Sequence, residues 1–158
     1  MDRVRETLFN WLGQDLSGWR CLDAFAGTGA LGFEAASRGA TRVVLLERDA
    51  QLVDAMRVTQ QRLQATQAHI ELADALAWMA RSTAACFELV FLDPPFDAGL
   101  ADAALAAATR LIVPGGYIYL ESGTPCSEDT CRALGLTRYR AGRAGSVHFE
   151  LLRPQADR

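Results

Sequence analysis

Short apolar runs alternate with helical patterns along most of the chain, and this alternation predicts its architecture. Five runs that are bounded by turn residues are typical of buried strands, at 20–25, 43–47, 69–73, 87–92 and 117–121. Apolar spacing predicts helices over about 50–63, 75–82 and 100–110, and the segment 26–32 is expected to open a further helix that runs to about residue 39. Pro114-Gly115-Gly116 is expected to form a turn ahead of the fifth run. Strands that alternate with helices join through right-handed crossovers into a parallel sheet.

The N-terminal segment precedes this alternating part and has a helical pattern of its own. Apolar residues recur at i, i+4, i+7 and i+8 from Val4, which predicts an amphipathic helix over 2–12. Asp2 is the expected N-cap and Gly13 the expected C-cap. We expect this helix to pack on the sheet.

A closing hairpin is expected after the alternating part. A short helix over 127–134 leads into strands at 136–140 and 146–152. The loop 141–145 looks too long for a tight two-residue hairpin, and Gly145 is expected to supply a bulge or a positive φ. Such a hairpin inserts one antiparallel strand. The sequence therefore predicts one α/β domain over 1–158, with a doubly wound, mostly parallel sheet of seven strands.

Composition excludes several functional classes. The 158 residues suit one domain, and no apolar run approaches the roughly 18 residues that span a bilayer. The N-terminus is charged, unlike a secretory leader, and the four cysteines include no Cys-x-x-Cys, so reduced cytosolic thiols are expected and not a zinc site. All sixteen basic residues are arginine, and the net charge of −3 is unusual for a protein that binds nucleic acid.

Polar residues at two predicted strand ends indicate a nucleoside ligand. Asp23 lies at the tip of the first strand and is followed by Gly-x-Gly-x-x-Gly over 27–32, a pattern that both dinucleotide and adenosylmethionine folds use. A carboxylate at Asp23 would repel a pyrophosphate but suits a ligand with an ammonium group. Glu47 ends the second strand, where a carboxylate can accept both ribose hydroxyls.

The fourth strand ends in the most specific motif of the sequence, Asp93-Pro94-Pro95-Phe96. Each proline fixes φ and lacks a backbone N–H, so the strand stops and the carbonyls beside it can face a cleft. Asp93 stands at the carboxyl end of its strand, where open α/β sheets bind ligands. The motif resembles the (Asp/Asn)-Pro-Pro-aromatic signature of methyltransferases that modify a planar NH2 group with S-adenosylmethionine.

Four motifs in the same order extend the resemblance to nearly the whole chain: Asp-x-x-Ala-Gly-Thr-Gly-Ala-Leu-Gly at 23–32, Glu47-Arg48-Asp49, Ala73-Asp74-Ala75 and Asp93-Pro94-Pro95-Phe96. With the opening helix and the closing strand, the sequence resembles the RsmD family of bacterial methyltransferases, which act on the exocyclic N2 of a guanine in 16S ribosomal RNA. The resemblance implies a Rossmann-like class I methyltransferase fold, S-adenosylmethionine as cofactor and no metal. It also implies a monomeric cytoplasmic enzyme whose partner is ribosomal RNA or the small ribosomal subunit, with no membrane.

The same resemblance implies roles for individual residues. Ala26, Gly27, Thr28 and Gly29 would cradle the methionine end of the cofactor, and Asp23 would contact its amino group. Glu47 would hold the ribose, Arg48 would flank the adenine, and Asp74 with the Ala75 backbone would read it. Asp93, Pro94, Pro95 and Phe96 would form the catalytic motif, in which Phe96 stacks on an extruded base. Arg5 would order the active-site side of the first helix, and Arg143 would touch RNA phosphate.

One departure and several alternatives accompany this interpretation. Family members usually carry a basic arm before the first helix, and this chain begins at the helix, so weaker RNA binding is expected. Adenine-N6 and protein-glutamine methyltransferases use the same kind of motif to bind an amine or amide. Asp rather than Asn at 93 argues against the glutamine enzymes, and the sequence shows no added target-recognition domain that would read DNA. A non-catalytic cofactor-binding domain and a nicotinamide oxidoreductase are the remaining alternatives.

Overall fold

The computed structural model describes residues 2–95 and 98–155, without the side chain of Ala98. Phe96 therefore lies outside the described residues. The described part of the chain alternates helices and strands as the sequence predicts, with these bounds: α1 Arg3–Leu12, β1 Arg20–Asp23, α2 Ala30–Ser37, β2 Arg42–Glu47, α3 Ala50–Leu63, β3 Ala68–Leu72, α4 Ala75–Ala80, β4 Phe87–Leu92, α5 Ala98–Leu111, β5 Ile112–Ser122, α6 Glu128–Leu134, β6 Leu136–Ala144 and β7 Val147–Pro154.

The strands form one sheet in the order β3-β2-β1-β4-β5-β7-β6. The first five strands are parallel to their neighbours, whereas β7 is antiparallel to both β5 and β6. The chain order reverses between β1 and β4, and ligands bind at such a switch point in doubly wound sheets. The predicted fold class, with its single antiparallel strand near the C-terminus, is confirmed.

Helices cover both faces of the sheet and create a hydrophobic core on each. On one face, α1, α2 and α3 pack against alternate strand residues such as Val43 and Leu89. On the other, α4, α5 and α6 pack against residues such as Leu22 and Val90. Central strands covered on both faces read as continuous apolar runs, which is why the five runs stand out in the sequence.

Helix α1 has the predicted caps at both ends, and an aromatic residue that was not predicted packs it into the first of these cores. The Asp2 side chain accepts the Val4 N–H at 2.9 Å, and Gly13 adopts the left-handed conformation with φ of 91°, as the sequence predicts. Phe9 is fully buried against Phe91, with ring centroids 6.2 Å apart. Phe9 was missing from the predicted apolar face and is among its best-buried members.

Two predictions about the C-terminal half are wrong. Pro114-Gly115-Gly116 is not a turn ahead of β5 but an irregularity within it, because the register against β4 shifts between Phe87 and Leu89. The segment 141–145 is not a long loop: β6 continues to Ala144, which pairs with Val147, so the connection has two residues. Gly145 supplies the expected positive φ, at 61°, and this permits the tight turn.

Candidate active site

Acidic side chains stand at the carboxyl edge of four adjacent strands. Asp23 and Glu47 are the last residues of β1 and β2, and Asp93 directly follows β4. Glu121 lies near the end of β5. Because parallel strands end at the same edge of the sheet, these carboxylates border one cleft.

The cleft contains a first cavity of about 510 Å³, on the side of β1, β2 and α4. Its wall includes eleven of the residues for which a role was predicted: Asp23, Ala26, Gly27, Thr28, Glu47, Arg48, Asp74, Ala75, Asp93, Pro94 and Pro95. Gly29 does not line this cavity. It is buried behind the wall at the start of α2 with φ of 85°, and a Cβ there would approach the Phe33 ring to 2.6 Å.

A second cavity of about 610 Å³ opens on the side of β5, α5 and α6. Its wall includes Leu105, Glu121 and the segment 122–127. Asp93, Pro94 and Pro95 line both cavities. The loop after β4 therefore separates two adjoining spaces, and a group on either side can reach Asp93.

Asp23 is almost completely buried and is held by the backbone of α2. It is 2% exposed, and its Oδ2 accepts the Gly32 N–H at 3.0 Å. A Cβ at residue 32 would lie 2.6 Å from Leu45 and 3.2 Å from this oxygen, so glycine is required for the close approach. Burial, opposed by the Gly32 hydrogen bond and reinforced by the charges of Glu47 and Glu121, raises the pKa of Asp23 to about 7.

Glu47 is oriented by two backbone donors. Its Oε1 accepts the Gly27 N–H at 3.1 Å and its Oε2 accepts the Asp49 N–H at 2.8 Å. Each carboxylate oxygen has a second lone pair. Glu47 can therefore accept two further hydroxyl donors from the cavity without losing the bonds that fix it.

Asp74 both caps a helix and lines the first cavity. Its Oδ2 caps α4 by accepting the Ala77 N–H at 2.9 Å, and the residue also lines the first cavity. Arg48 is exposed at the same rim. This side of the cavity can thus present both an acceptor and a cation to a ligand ring.

Asp93 is solvent-accessible as a residue, yet its carboxyl group faces other acids. Partial removal of the carboxyl from water, then the charge of Glu121 and a hydrogen bond with it, and then the charge of Asp23 raise the pKa of Asp93 to about 7. An acid with such a pKa exchanges a proton near neutral pH, which suits a general base.

Two predicted residues lie away from both cavities, and one lining residue was not singled out from the sequence. Arg5 is half-buried on α1 and Arg143 is exposed on β6, where its Nε donates to the Gly145 carbonyl at 2.8 Å; neither lines a cavity. Glu121 was not assigned a function. Its signal was available, because it ends an apolar run as Asp23, Glu47 and Asp93 do.

Comparison with known proteins places nearly the whole chain in one protein family. The family described as "Conserved hypothetical protein 95" matches residues 1–153. Ribosomal RNA small subunit methyltransferase D of Haemophilus influenzae is 39% identical over 77% of this chain and 65% of its own length. The Escherichia coli protein of the same name is 35% identical over 98% of this chain and 78% of its own. The chain thus spans about two thirds of the length of the first relative.

Solved structures agree with the fold. The structure of yhhF from Escherichia coli, named as a methyltransferase, has a TM-score of 0.86 and 32% identity, and the match covers 99% of this chain and 88% of that one. Magnesium protoporphyrin IX methyltransferase from Synechocystis, solved with bound SAM, has a TM-score of 0.73 at 19% identity, covering 95% of this chain and 76% of that one. The second match, at this identity, shows a shared fold.

In the described residues, no helix is long and apolar enough to cross a membrane.

Proposed function

The chain belongs to the RsmD family, and from this membership and the geometry of the cleft we propose that it methylates the exocyclic N2 of a guanine in small-subunit ribosomal RNA. The methyl donor would be S-adenosylmethionine. The observation that carries the proposal is the position of Asp93, Pro94 and Pro95 between two adjoining cavities, since one cavity can hold the donor and the other the base.

The first cavity fits the donor in its chemistry. The buried carboxyl of Asp23 suits an ammonium group, and the oriented carboxylate of Glu47 suits the two hydroxyls of a ribose. Asp74 and the backbone at Ala75 suit an adenine amine, with Arg48 at the rim. The cofactor, when bound, supplies an electrophilic methyl group on its sulfonium.

The second cavity suits a base turned out of its RNA strand. Enzymes that modify a base must expose its reacting atom, and a pocket beside the donor site allows this. Asp93 can accept one N–H of the guanine amine and the Pro94 carbonyl the other. These bonds favour a pyramidal nitrogen whose lone pair faces the first cavity. Correct placement of the reacting atoms can lower the activation barrier by roughly 7–11 kcal/mol.

Asp93 also offers a destination for the proton that the nitrogen loses. The amine becomes strongly acidic once it carries the methyl group, and a carboxylate within hydrogen-bond reach can take one of its protons. Phe96 is expected to stack on the base, and stacking of this kind contributes roughly 1–3 kcal/mol.

Transfer from tritiated S-adenosylmethionine to small ribosomal subunits that lack the modification, followed by nucleoside analysis, tests the proposal. Label in N2-methylguanosine is expected. Asp93→Ala should reduce transfer at least 100-fold, about 2.7 kcal/mol, and leave calorimetric binding of S-adenosylhomocysteine unchanged. Label in N6-methyladenosine instead would favour an adenine enzyme, and full activity of Asp93→Ala would contradict the assigned role of this residue.

A further inference from the structure

Glu121 stands beside Asp93 because of strand register. Strands β4 and β5 are parallel neighbours, and Leu92 pairs with Leu120. The next residues along the chain are Asp93, directly after β4, and Glu121 on β5, so their side chains start from neighbouring positions at the same sheet edge. Their interaction contributes to the raised pKa of Asp93. Both residues line the second cavity. The mechanism above uses Asp93 and gives no function to its partner.

Tyr119 holds the far side of Glu121. Its hydroxyl donates to Glu121 Oε1 at 2.5 Å, and its ring is fully buried with an edge contact to Phe91 at 6.3 Å between centroids. Burial, then the charge of Glu121 and this hydrogen bond, raise the pKa of Tyr119 far above its usual range. The phenol therefore stays protonated and remains a donor, which fixes Glu121 and stabilises its charge.

We infer that Glu121 is a positioning residue for the proposed methyl transfer: once Asp93 has taken the proton that the amine loses, Glu121 accepts the Asp93 O–H hydrogen bond and holds the protonated carboxyl in place. The inference rests on the proposed function. The N–CH3 bond forms as the S–CH3 bond breaks, and the nitrogen becomes cationic. One N–H proton then moves to Asp93 while its electron pair stays on nitrogen. Glu121 keeps its negative charge and stabilises the protonated Asp93.

The electrostatic surroundings agree with this assignment. The charge of Asp23 on β1 acts on Asp93, and Tyr119 on β5 donates to Glu121. Asp102 on α5 lines the same cavity, and the charge of Asp2 ahead of α1 acts on Tyr119. On β7, the residue that pairs with Glu121 is the uncharged Phe149. Two acids raise the pKa of Asp93, and Glu121 acts on it more strongly than Asp23. Like charges at this range favour the protonated form.

The carboxyl titration of Asp93 tests the pair without cofactor or RNA. In protein labelled with 13C at aspartate carboxyls, the signal that disappears in Asp93→Asn should titrate near pH 7, as the raised pKa of Asp93 requires. In Glu121→Gln, the pKa of Asp93 should fall by about 1 or more. The glutamine amide oxygen can still accept from Tyr119, so the fold should be kept. A wild-type Asp93 that titrates near 4, or one whose titration is unchanged in Glu121→Gln, would overturn the inference.

Single-turnover transfer to small subunits at saturating cofactor gives the catalytic readout. With a base whose pKa is about 7, the wild-type rate at pH 8 should exceed that at pH 6 by about tenfold. In Glu121→Gln this ratio should fall to about threefold or less, and the rate at pH 8 should fall about tenfold.

Glu34→Gln, which removes one charge from a half-buried ion pair with Arg38 at the end of α2, away from both cavities, is the matched control and should keep the wild-type profile. A Glu121→Gln profile equal to that of wild type would overturn the inference and leave the proposed function intact. Absence of N2-methylguanosine with the wild-type protein would overturn the proposed function itself.

Discussion

Asp23 and Asp93 both have a pKa raised to about 7, and loss of water on burial is the largest cause for each, but their other surroundings differ. Asp23 is enclosed by protein and keeps one backbone hydrogen bond, whereas Asp93 faces a cavity and another carboxylate. The first environment opposes ionisation in the free protein and would favour it beside a bound cation. The second environment places the pKa of Asp93 near neutral pH, so this carboxylate can accept a proton there. Residues of one type thus acquire distinct functions from their surroundings.

The buried acid predicts a pH-dependent stability. The pKa of Asp23 is raised from 3.8 to about 7 on folding, so the folded state holds a proton between these values that the unfolded state has lost. Stability should therefore fall as pH rises from about 4 to about 7, with a contribution of Asp23 on the order of 4 kcal/mol.

Asp23→Asn should flatten this fall, because the amide oxygen still accepts the Gly32 N–H and nothing ionises. Urea unfolding at pH 5 and pH 8 would measure both slopes. Asp93 contributes in the same direction, so Asp93→Asn is the matched control: it should flatten the fall less, since its carboxyl is nearer to solvent. Equal slopes in wild type and Asp23→Asn would contradict the burial argument.

At the residue scale, sequence reasoning reached the strand-end acids and the glycine loop because both follow from chain direction and local conformation. It could not predict that Glu121 lies beside Asp93, because this depends on the register of two strands that are distant in sequence. It assigned Arg5 to the active-site side of the first helix and Arg143 to RNA phosphate by resemblance alone; neither lines a cavity, and both assignments stay predictions.

At the scale of elements, the sequence predicts every helix and strand of the described part of the chain. The two wrong predictions concern strand ends, where hydrogen bonding to a neighbouring strand overrides the local preference of the residues. Pro114 and Gly115 are turn residues, but a register shift against β4 lets β5 run through them. The residues 141–144 have weak strand propensity, and pairing with β7 extends β6 over them.

The hairpin of β6 and β7 is coupled to α1 through one glycine. A Cβ at Gly142 would lie 2.5 Å from the Phe149 ring, and this ring stacks on Trp11 of α1 with centroids 5.3 Å apart. Gly142→Ala should therefore destabilise the protein by about 1–3 kcal/mol through overpacking. Chemical unfolding would measure this loss.

A double-mutant cycle provides the control. In a Phe149→Leu background the smaller side chain leaves space for the new methyl group, so Gly142→Ala should cost markedly less there. An identical cost in both backgrounds would show that the ring does not fill the space over Gly142.

At the scale of the whole molecule, the two cores meet at the sheet, and the cleft opens where the chain switches from one face to the other. The first cavity is lined by β1, β2, the loop after β4, α2, α4 and α5, and these helices come from both layers. A ligand bound there contacts elements that separate on unfolding, so its binding energy should appear in global stability.

This coupling predicts a selective thermal shift. S-adenosylhomocysteine at 100 times its dissociation constant should stabilise the folded state by about 2.7 kcal/mol, which corresponds to roughly 5–10 °C for a domain of this size. Glu47→Ala removes the oriented ribose acceptor and should abolish most of the shift, whereas Glu34→Gln on the same face should keep it. NAD should produce none, because its pyrophosphate would meet the carboxylates of Asp23 and Glu47. Equal shifts from both nucleotides would contradict the assignment of the first cavity, and with it the division of the cleft between donor and base.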